Sequence, residues 1–84
     1  MSYIKPKMVT SPKSSLSKIV KVHRDEGAGE WSLAELEWDN YIRLGVRWNG
    51  DSNNPIGNPQ SRGISTWFIL PDEIAEAVKE KLKL

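Results

Sequence analysis

The sequence predicts an α+β fold: a small antiparallel sheet of about four strands, bent or barrel-like, with one C-terminal helix packed on it. Short β-branched and aromatic runs, bounded by Gly, Asn and Pro, recur between residues 18 and 70, as is typical of strands joined by turns. The last segment, "PDEIAEAVKEKLKL", has helical periodicity instead. The predicted order is therefore β–β–β–loop–β–α, without internal repeats.

Length and composition allow one domain. The chain has 84 residues and no cysteine, so neither a disulfide nor a thiolate metal site can reinforce so small a core. A second subunit can supply the missing burial, and we expect a homo-oligomer, with a two-fold dimer favoured.

The positive charge is concentrated in the N-terminal part of the chain. Residues 1–24 hold six basic residues and no acidic one, whereas residues 25–84 hold six basic and eleven acidic residues. We predict a basic, partly irregular arm over residues 1–17 and a single α+β domain over residues 18–84. Basic arms attract phosphate backbones, but solvated charged termini are also common.

The chain has no candidate membrane segment. No run approaches the roughly 20 apolar residues of a transmembrane helix, and the N-terminal lysines have no apolar segment behind them. We expect no membrane partner and, with cysteine absent, a cytoplasmic location.

The first strand is predicted from "KIVKVHRDEG", where side chains alternate with period two from Ile19 to Arg24. The strand should end before Gly27, and "EGAGE" should form a turn. The next segment, "EWSLAELEWDNYIRLGVRWNG", reads as two strands that are joined near Asp39 and Asn40.

Two loop lengths compete in this hairpin. A two-residue loop, residues 39–40, places Leu36 opposite Arg43 and mixes glutamates with apolar residues on one face. A three-residue loop, residues 38–40, places Leu36 opposite Ile42 and separates an apolar face from a charged one, so we predict this register. The charged face then pairs Glu35 with Arg43 and presents one outward set: Trp31, Leu33, Tyr41, Arg43 and Arg47.

The segment "NGDSNNPIGNPQSRG", residues 49–63, is long and polar for so small a domain. Loops of this length are usually functional or disordered. Two prolines, four asparagines and Ile56 favour an ordered loop that packs on the body beside a recognition surface. Arg62 lies where it can meet an anion or a carboxylate.

The chain ends with a strand and a helix. "STWFIL" is apolar on both faces, which predicts a strand covered on both sides and central in the sheet. In the following helix, Pro71 suits the first helical position, and an apolar stripe runs through Ile74, Val78 and Leu82.

Residues for several kinds of catalysis are missing. His23 is the single histidine and has no adjacent nucleophile motif. A zinc site needs more His or Cys ligands, and "GNPQSRG" lacks the Gly-Lys-Ser/Thr ending of a phosphate-binding loop. We therefore expect no enzyme activity, no cofactor and no metal site.

Three functions remain. The leading hypothesis is a non-enzymatic interaction module that self-associates and binds protein. The alternatives are a regulatory module that binds single-stranded DNA or RNA through the arm and the hairpin face, and a small-molecule binder with residues 49–63 as a lid. The candidate binding residues are Trp31, Tyr41, Arg43, Arg47, Asn49, Ser61 and Arg62.

Four segments, "WSLAE", "RWNG", "GNPQSRG" and "TWFILPDEI", carry a resemblance. In this order they resemble a small uncharacterised bacterial family found on mobile DNA, including integron gene cassette proteins. The likeness spans about residues 30–74, outside the arm, and implies a mobile-element origin without an established activity. It also implies one motif set: Trp31, Arg47, Trp48, Asn49, Gly50, Ser61, Arg62, Gly63, Trp67 and Phe68.

Overall fold

A computed structural model of the chain describes residues 3–84 and confirms the α+β fold. A four-stranded antiparallel sheet has the order β1-β2-β3-β6, and a two-stranded sheet, β4-β5, lies at the C-terminal end of the long loop. Met1 and Ser2, which begin the predicted arm, lie outside the described residues. The elements are β1 (Leu16–Asp25), β2 (Trp31–Trp38), β3 (Tyr41–Trp48), β4 (Gln60–Ser61), β5 (Ile64–Ser65), β6 (Phe68–Ile69) and α1 (Asp72–Leu82).

The N-terminal segment packs against the main sheet. It contains a short 3-10 helix, Pro6–Met8, followed by Val9, which is 1% exposed. The indole Nε1 of Trp67 donates a hydrogen bond of 2.8 Å to the Val9 carbonyl, and the Ile4 amide donates to the Pro55 carbonyl. The described part of the arm therefore contributes to the core of the fold.

Strand β1 differs from the predicted period-two alternation. Its register against β2 shifts three times, so one extra residue enters at each shift. Leu16, Ile19 and Val22 consequently point to one face at a spacing of three. Lys18 and Lys21 lie opposite Glu37 and Glu35 on the other face. The repeat apolar-x-basic, written three times in "LSKIVKVHR", is the sequence signal of these bulges.

The three-residue loop predicted for the hairpin is wrong. Trp38 lies opposite Tyr41, so the loop is the two-residue turn Asp39–Asn40. Both turn residues have positive φ, 49° and 70°, which is the backbone of a type I′ turn. This turn matches the twist of the flanking strands, and that match decided the register.

The observed register also redistributes the outward set. Trp31 and Leu33 share the face on which α1 packs, whereas Tyr41, Arg43 and Arg47 belong to the opposite face. In this register Glu35 and Glu37 share a face with apolar residues, which was the argument against it. The arrangement is tolerated because β1 supplies a hydrogen-bonding partner for each carboxylate. The carboxylate of Glu35 lies 2.8 Å from Nε2 of His23, and Glu37 accepts a hydrogen bond of 2.8 Å from Ser17 Oγ.

The segment "STWFIL" does not form one central strand. It divides between β5 and β6, with Thr66 and Trp67 between them, and β6 is the edge strand beside β3. Its apolar side chains do reach both faces of the sheet, because Trp67 and Ile69 pack with the cluster of Val9, whereas Leu70 packs with α1.

Two apolar clusters cover the two faces of the sheet. The first joins Leu36 and Ala34 to the N-terminal segment and Trp67. Gly45 makes room for this cluster, since a Cβ there would lie 2.7 Å from Leu36 Cδ1 and 3.3 Å from the Trp67 ring. The second cluster packs α1 on Leu33 and Leu44.

Helix α1 begins at Asp72, one residue later than predicted, with Pro71 as the N-cap. It ends at Leu82, where Lys83 takes a left-handed conformation with φ of 60°. Val78 and Leu82 of the predicted stripe pack on the sheet, but Ile74 remains 51% exposed.

Candidate functional site

Arg47 holds the long loop to the sheet. The residue is 2% exposed, and its guanidinium donates to the carbonyl oxygens of Ile56 and Thr66, with a longer contact of 3.4 Å to Pro59 O. Nε is buried without a partner. Burial lowers the pKa of the Arg47 guanidinium, but arginine keeps its proton at any ordinary pH. Arg47 was expected on an outward face; it instead occupies the interior and has a structural role.

The loop approaches Arg47 at a glycine. Gly57 has φ of +69°, and a Cβ there would lie 2.2 Å from the Trp48 carbonyl and 2.7 Å from Arg47 Nη2. Asn58 and Trp48 exchange two backbone hydrogen bonds, at 2.7 and 3.0 Å. The middle of the loop is thus bonded to the end of β3, which fixes its position relative to the sheet.

Asn49 closes the start of the same loop. It is 4% exposed; its Oδ1 accepts a 2.7 Å hydrogen bond from Ser32 Oγ, and its Nδ2 donates to Gly27 O at 2.8 Å and to Asp25 Oδ1 at 3.2 Å. These bonds tie the loop to the β1–β2 turn. The side chain that we expected to bind a partner is therefore engaged within the fold.

Ser61 and Arg62 lie at the tip of the small β4–β5 hairpin, and both are exposed. The turn is formed by Arg62 and Gly63, which both have positive φ. The two candidate residues are therefore accessible at this tip.

Tyr41 and Arg43 lie on β3, next to the Asp39–Asn40 turn of the β2–β3 hairpin. Tyr41 is 65% exposed, and the Arg43 guanidinium lies 5.5 Å from its ring centroid. Arg43 also donates a 2.5 Å hydrogen bond to Asp72 Oδ1, so it fastens the start of α1. This ion pair replaces the predicted pair between Arg43 and Glu35.

Aromatic side chains on the helix side of the sheet line a groove that the sequence had not indicated. Trp31 and Trp48 are direct cross-strand neighbours, and Val46 lies opposite Phe68. We call this depression of about 660 Å³ the aromatic groove. Its lining consists of Trp31, Val46, Arg47, Trp48, Asn58, Pro59 and Phe68.

A second depression, of about 620 Å³, lies between α1 and the sheet. We call it the helix groove. It shares Trp31 and Val46 with the aromatic groove, so the two form one surface, the apolar face. The helix groove is lined by Trp31, Leu33, Val46, Leu70, Glu73, Ile74, Ala77, Val78, Lys81 and Leu82.

Of the seven predicted site residues, Trp31 lies on the apolar face; Arg47 touches the aromatic groove, but its side chain is buried and belongs to the opposite face of the sheet. Trp48 and Phe68 are 58% and 57% exposed, and neither was among the candidate binding residues. For Trp48 the register error is the cause, because the three-residue loop would place Arg47 opposite Trp31, where the structure has Trp48. The sequence "WDNY", interpreted as a type I′ turn, was the signal that could have given the correct register.

The described residues add no sign of metal chemistry or of a membrane span. Residues 3–84 contain no group of three or more His, Cys, Asp or Glu side chains placed to hold a metal ion. Among the helices described, none is long and apolar enough to cross a membrane.

No family model, curated protein or solved structure matches the chain. The resemblance to integron gene cassette proteins therefore stays a prediction.

Proposed function

We propose that the protein is a non-enzymatic interaction module that associates with a second protein molecule, first of all its own copy, through the apolar face. The observation that carries this proposal is the exposure of Trp48 and Phe68 beside the partly buried Trp31 in one groove. Large aromatic side chains at a concave surface are the usual anchors of protein interfaces. The mobile-element origin is part of the proposal and rests on the resemblance alone.

The area of the patch supports this function. With 58% and 57% of their surface in water, Trp48 and Phe68 together leave about 250 Å² exposed, taking roughly 200–250 Å² for a whole aromatic side chain. The largest exposed apolar patch of a small protein is often its functional surface. At about 25 cal/mol per Å², burial of this area contributes a gross hydrophobic free energy of about 6 kcal/mol in each copy, from which the cost of association is subtracted.

The nucleic-acid alternative receives less support from the arrangement of charge. On β1, Lys18 and Lys21 lie opposite Glu37 and Glu35, so acidic neighbours reduce the local positive potential. The apolar face is lined by the basic residues Arg47 and Lys81, of which Arg47 is buried. Single-strand binding needs a basic groove along the stacking residues.

A small-molecule function is the second candidate because the aromatic groove has a volume typical of ligand pockets. Asn58 and Pro59 of the long loop form one of its walls. Since Arg47 and Trp48 bond the loop to the sheet, we propose a fixed wall rather than the moving lid first expected.

Sedimentation velocity of the full chain and of W48S and F68S tests the proposed function. Wild type should sediment as a dimer at micromolar concentration. Each substitution should raise the dissociation constant at least about 100-fold, because it acts twice in a symmetric dimer. Y41S is the matched control, since Tyr41 is 65% exposed on the other face and should leave the dimer intact.

Two results would contradict self-association through this face. One is a wild-type chain that stays monomeric at about 100 µM, far above the micromolar range of a modest interface. The other is a dimer that W48S and Y41S weaken equally.

A further inference from the structure

One side of α1 leaves a strip of side chains that neither cluster covers. Glu73, Ile74, Ala77 and Lys81 all line the helix groove and are all exposed. Glu73, Ala77 and Lys81 fall at i, i+4 and i+8, so they follow one row along the helix, and Ile74 lies beside that row, three residues before Ala77. Ile74 is 51% exposed although the rest of the apolar stripe is packed.

The strip is self-complementary in charge. Glu73 and Lys81 lie four residues before and after Ala77. The rise of 1.5 Å per residue separates them by about 12 Å along the axis. If two such helices lie antiparallel, with a two-fold axis at Ala77, Glu73 of each copy meets Lys81 of the other. One helix–helix contact therefore forms two ion pairs.

Ala77 is suited to the centre of this contact. Helix axes approach to about 8 Å only where the side chains between them are small. Such a contact also buries Ile74, together with Trp31 and Val46, which line both grooves of the apolar face. The arrangement is isologous, so the same patch serves both partners and the assembly closes as a dimer.

We propose that the occupant of the helix groove is a second copy of this chain, with the two α1 helices antiparallel about a two-fold axis at Ala77. This inference rests on the proposed self-association and specifies its geometry. Three observations carry it: the Glu73 and Lys81 spacing, the continuity with the aromatic groove, and the area. Trp48, Phe68 and Ile74 together expose about 350 Å², close to the about 450 Å² of apolar surface in each half of a standard interface.

Charge reversal tests the geometry. E73K and K81E each place like charges at both contacts and should weaken the dimer at least about tenfold. The double variant E73K/K81E restores opposite charges and should return to within about threefold of wild type. E76K and K79E are matched controls, because Glu76 and Lys79 are exposed on α1 but do not line the groove.

Mixing the two single variants separates an intermolecular contact from an effect on helix stability. A mixture of E73K and K81E brings opposite charges together at both contacts. Heterodimers, detected by native mass spectrometry, should therefore exceed the two homodimers at least about tenfold. A weakened helix would instead lower all three dimers alike.

The outcomes distinguish this geometry from self-association itself. If wild type dimerises and the reversals behave like E76K and K79E, the dimer uses another contact and the geometry is overturned while self-association stands. If wild type is monomeric, both the geometry and self-association are contradicted.

Discussion

Replacement of Arg47 by methionine removes the side chain that holds the long loop to the sheet. Methionine keeps much of the volume and none of the donors. Of the three carbonyls concerned, Ile56 O still accepts from Ser65 Oγ at 2.8 Å, and Pro59 O still accepts from the Thr66 amide at 3.0 Å. The Thr66 carbonyl is the acceptor that loses its donor.

The loss can be estimated from these contacts. Two hydrogen bonds from a charged donor contribute about 1.5–3 kcal/mol each. The relief of a buried guanidinium, including its unpartnered Nε, offsets part of that. We expect the free energy of unfolding to fall by about 3 kcal/mol, out of roughly 4–12 kcal/mol for a domain of this length.

Urea unfolding, followed by circular dichroism, measures this loss. With a slope of about 1 kcal/mol per molar for so small a domain, the midpoint should fall by about 3 M. R47K should lower the midpoint by less than R47M, because its ammonium keeps donors for these carbonyls, although it lacks the forked geometry of the guanidinium. Hydrogen exchange at the Trp48 and Asn58 amides, which bond the loop to β3, should quicken in R47M. A midpoint within about 0.5 M of the wild-type value would refute the claim that the hydrogen bonds of Arg47 stabilise the fold.

Two further substitutions test the arm and the turn. V9A should lower the free energy of unfolding by about 2 kcal/mol, because Val9 is 1% exposed. M8A, at a 65% exposed neighbour, should change it by less than about 0.5 kcal/mol; equal effects in thermal melts would mean that the arm does not pack. N40G should be neutral or stabilise by about 0.5 kcal/mol, and N40A should destabilise by about 1 kcal/mol, because Asn40 has φ of 70°. A more stable N40A would contradict the type I′ turn.

The sequence predicted the fold class because the strands and the helix have distinct periodicities. The helix from "PDEIAEAVKEKLKL" was correct within one residue at its start. The main hairpin was also predicted. Its register was wrong because it was chosen to keep Glu35 and Leu44 on different faces of the sheet. That reasoning treated the hairpin alone, and the partners of the glutamates, His23 and Ser17, lie on β1.

The site was harder to predict than the fold. Arg47 and Asn49 are charged and polar, as binding residues often are. Both side chains instead form hydrogen bonds with backbone carbonyls that are distant in the sequence. Only tertiary structure reveals such bonds. The exposure of Trp48 depended on the register, since a shift of one residue moves every side chain of a strand to the other face.

Self-association through the apolar face is tested most directly by sedimentation equilibrium of the wild-type chain beside W48S. We predict a wild-type dimer at micromolar concentration and a monomeric W48S. A wild-type chain that is monomeric up to about 100 µM, or a W48S dimer as tight as wild type, would contradict it.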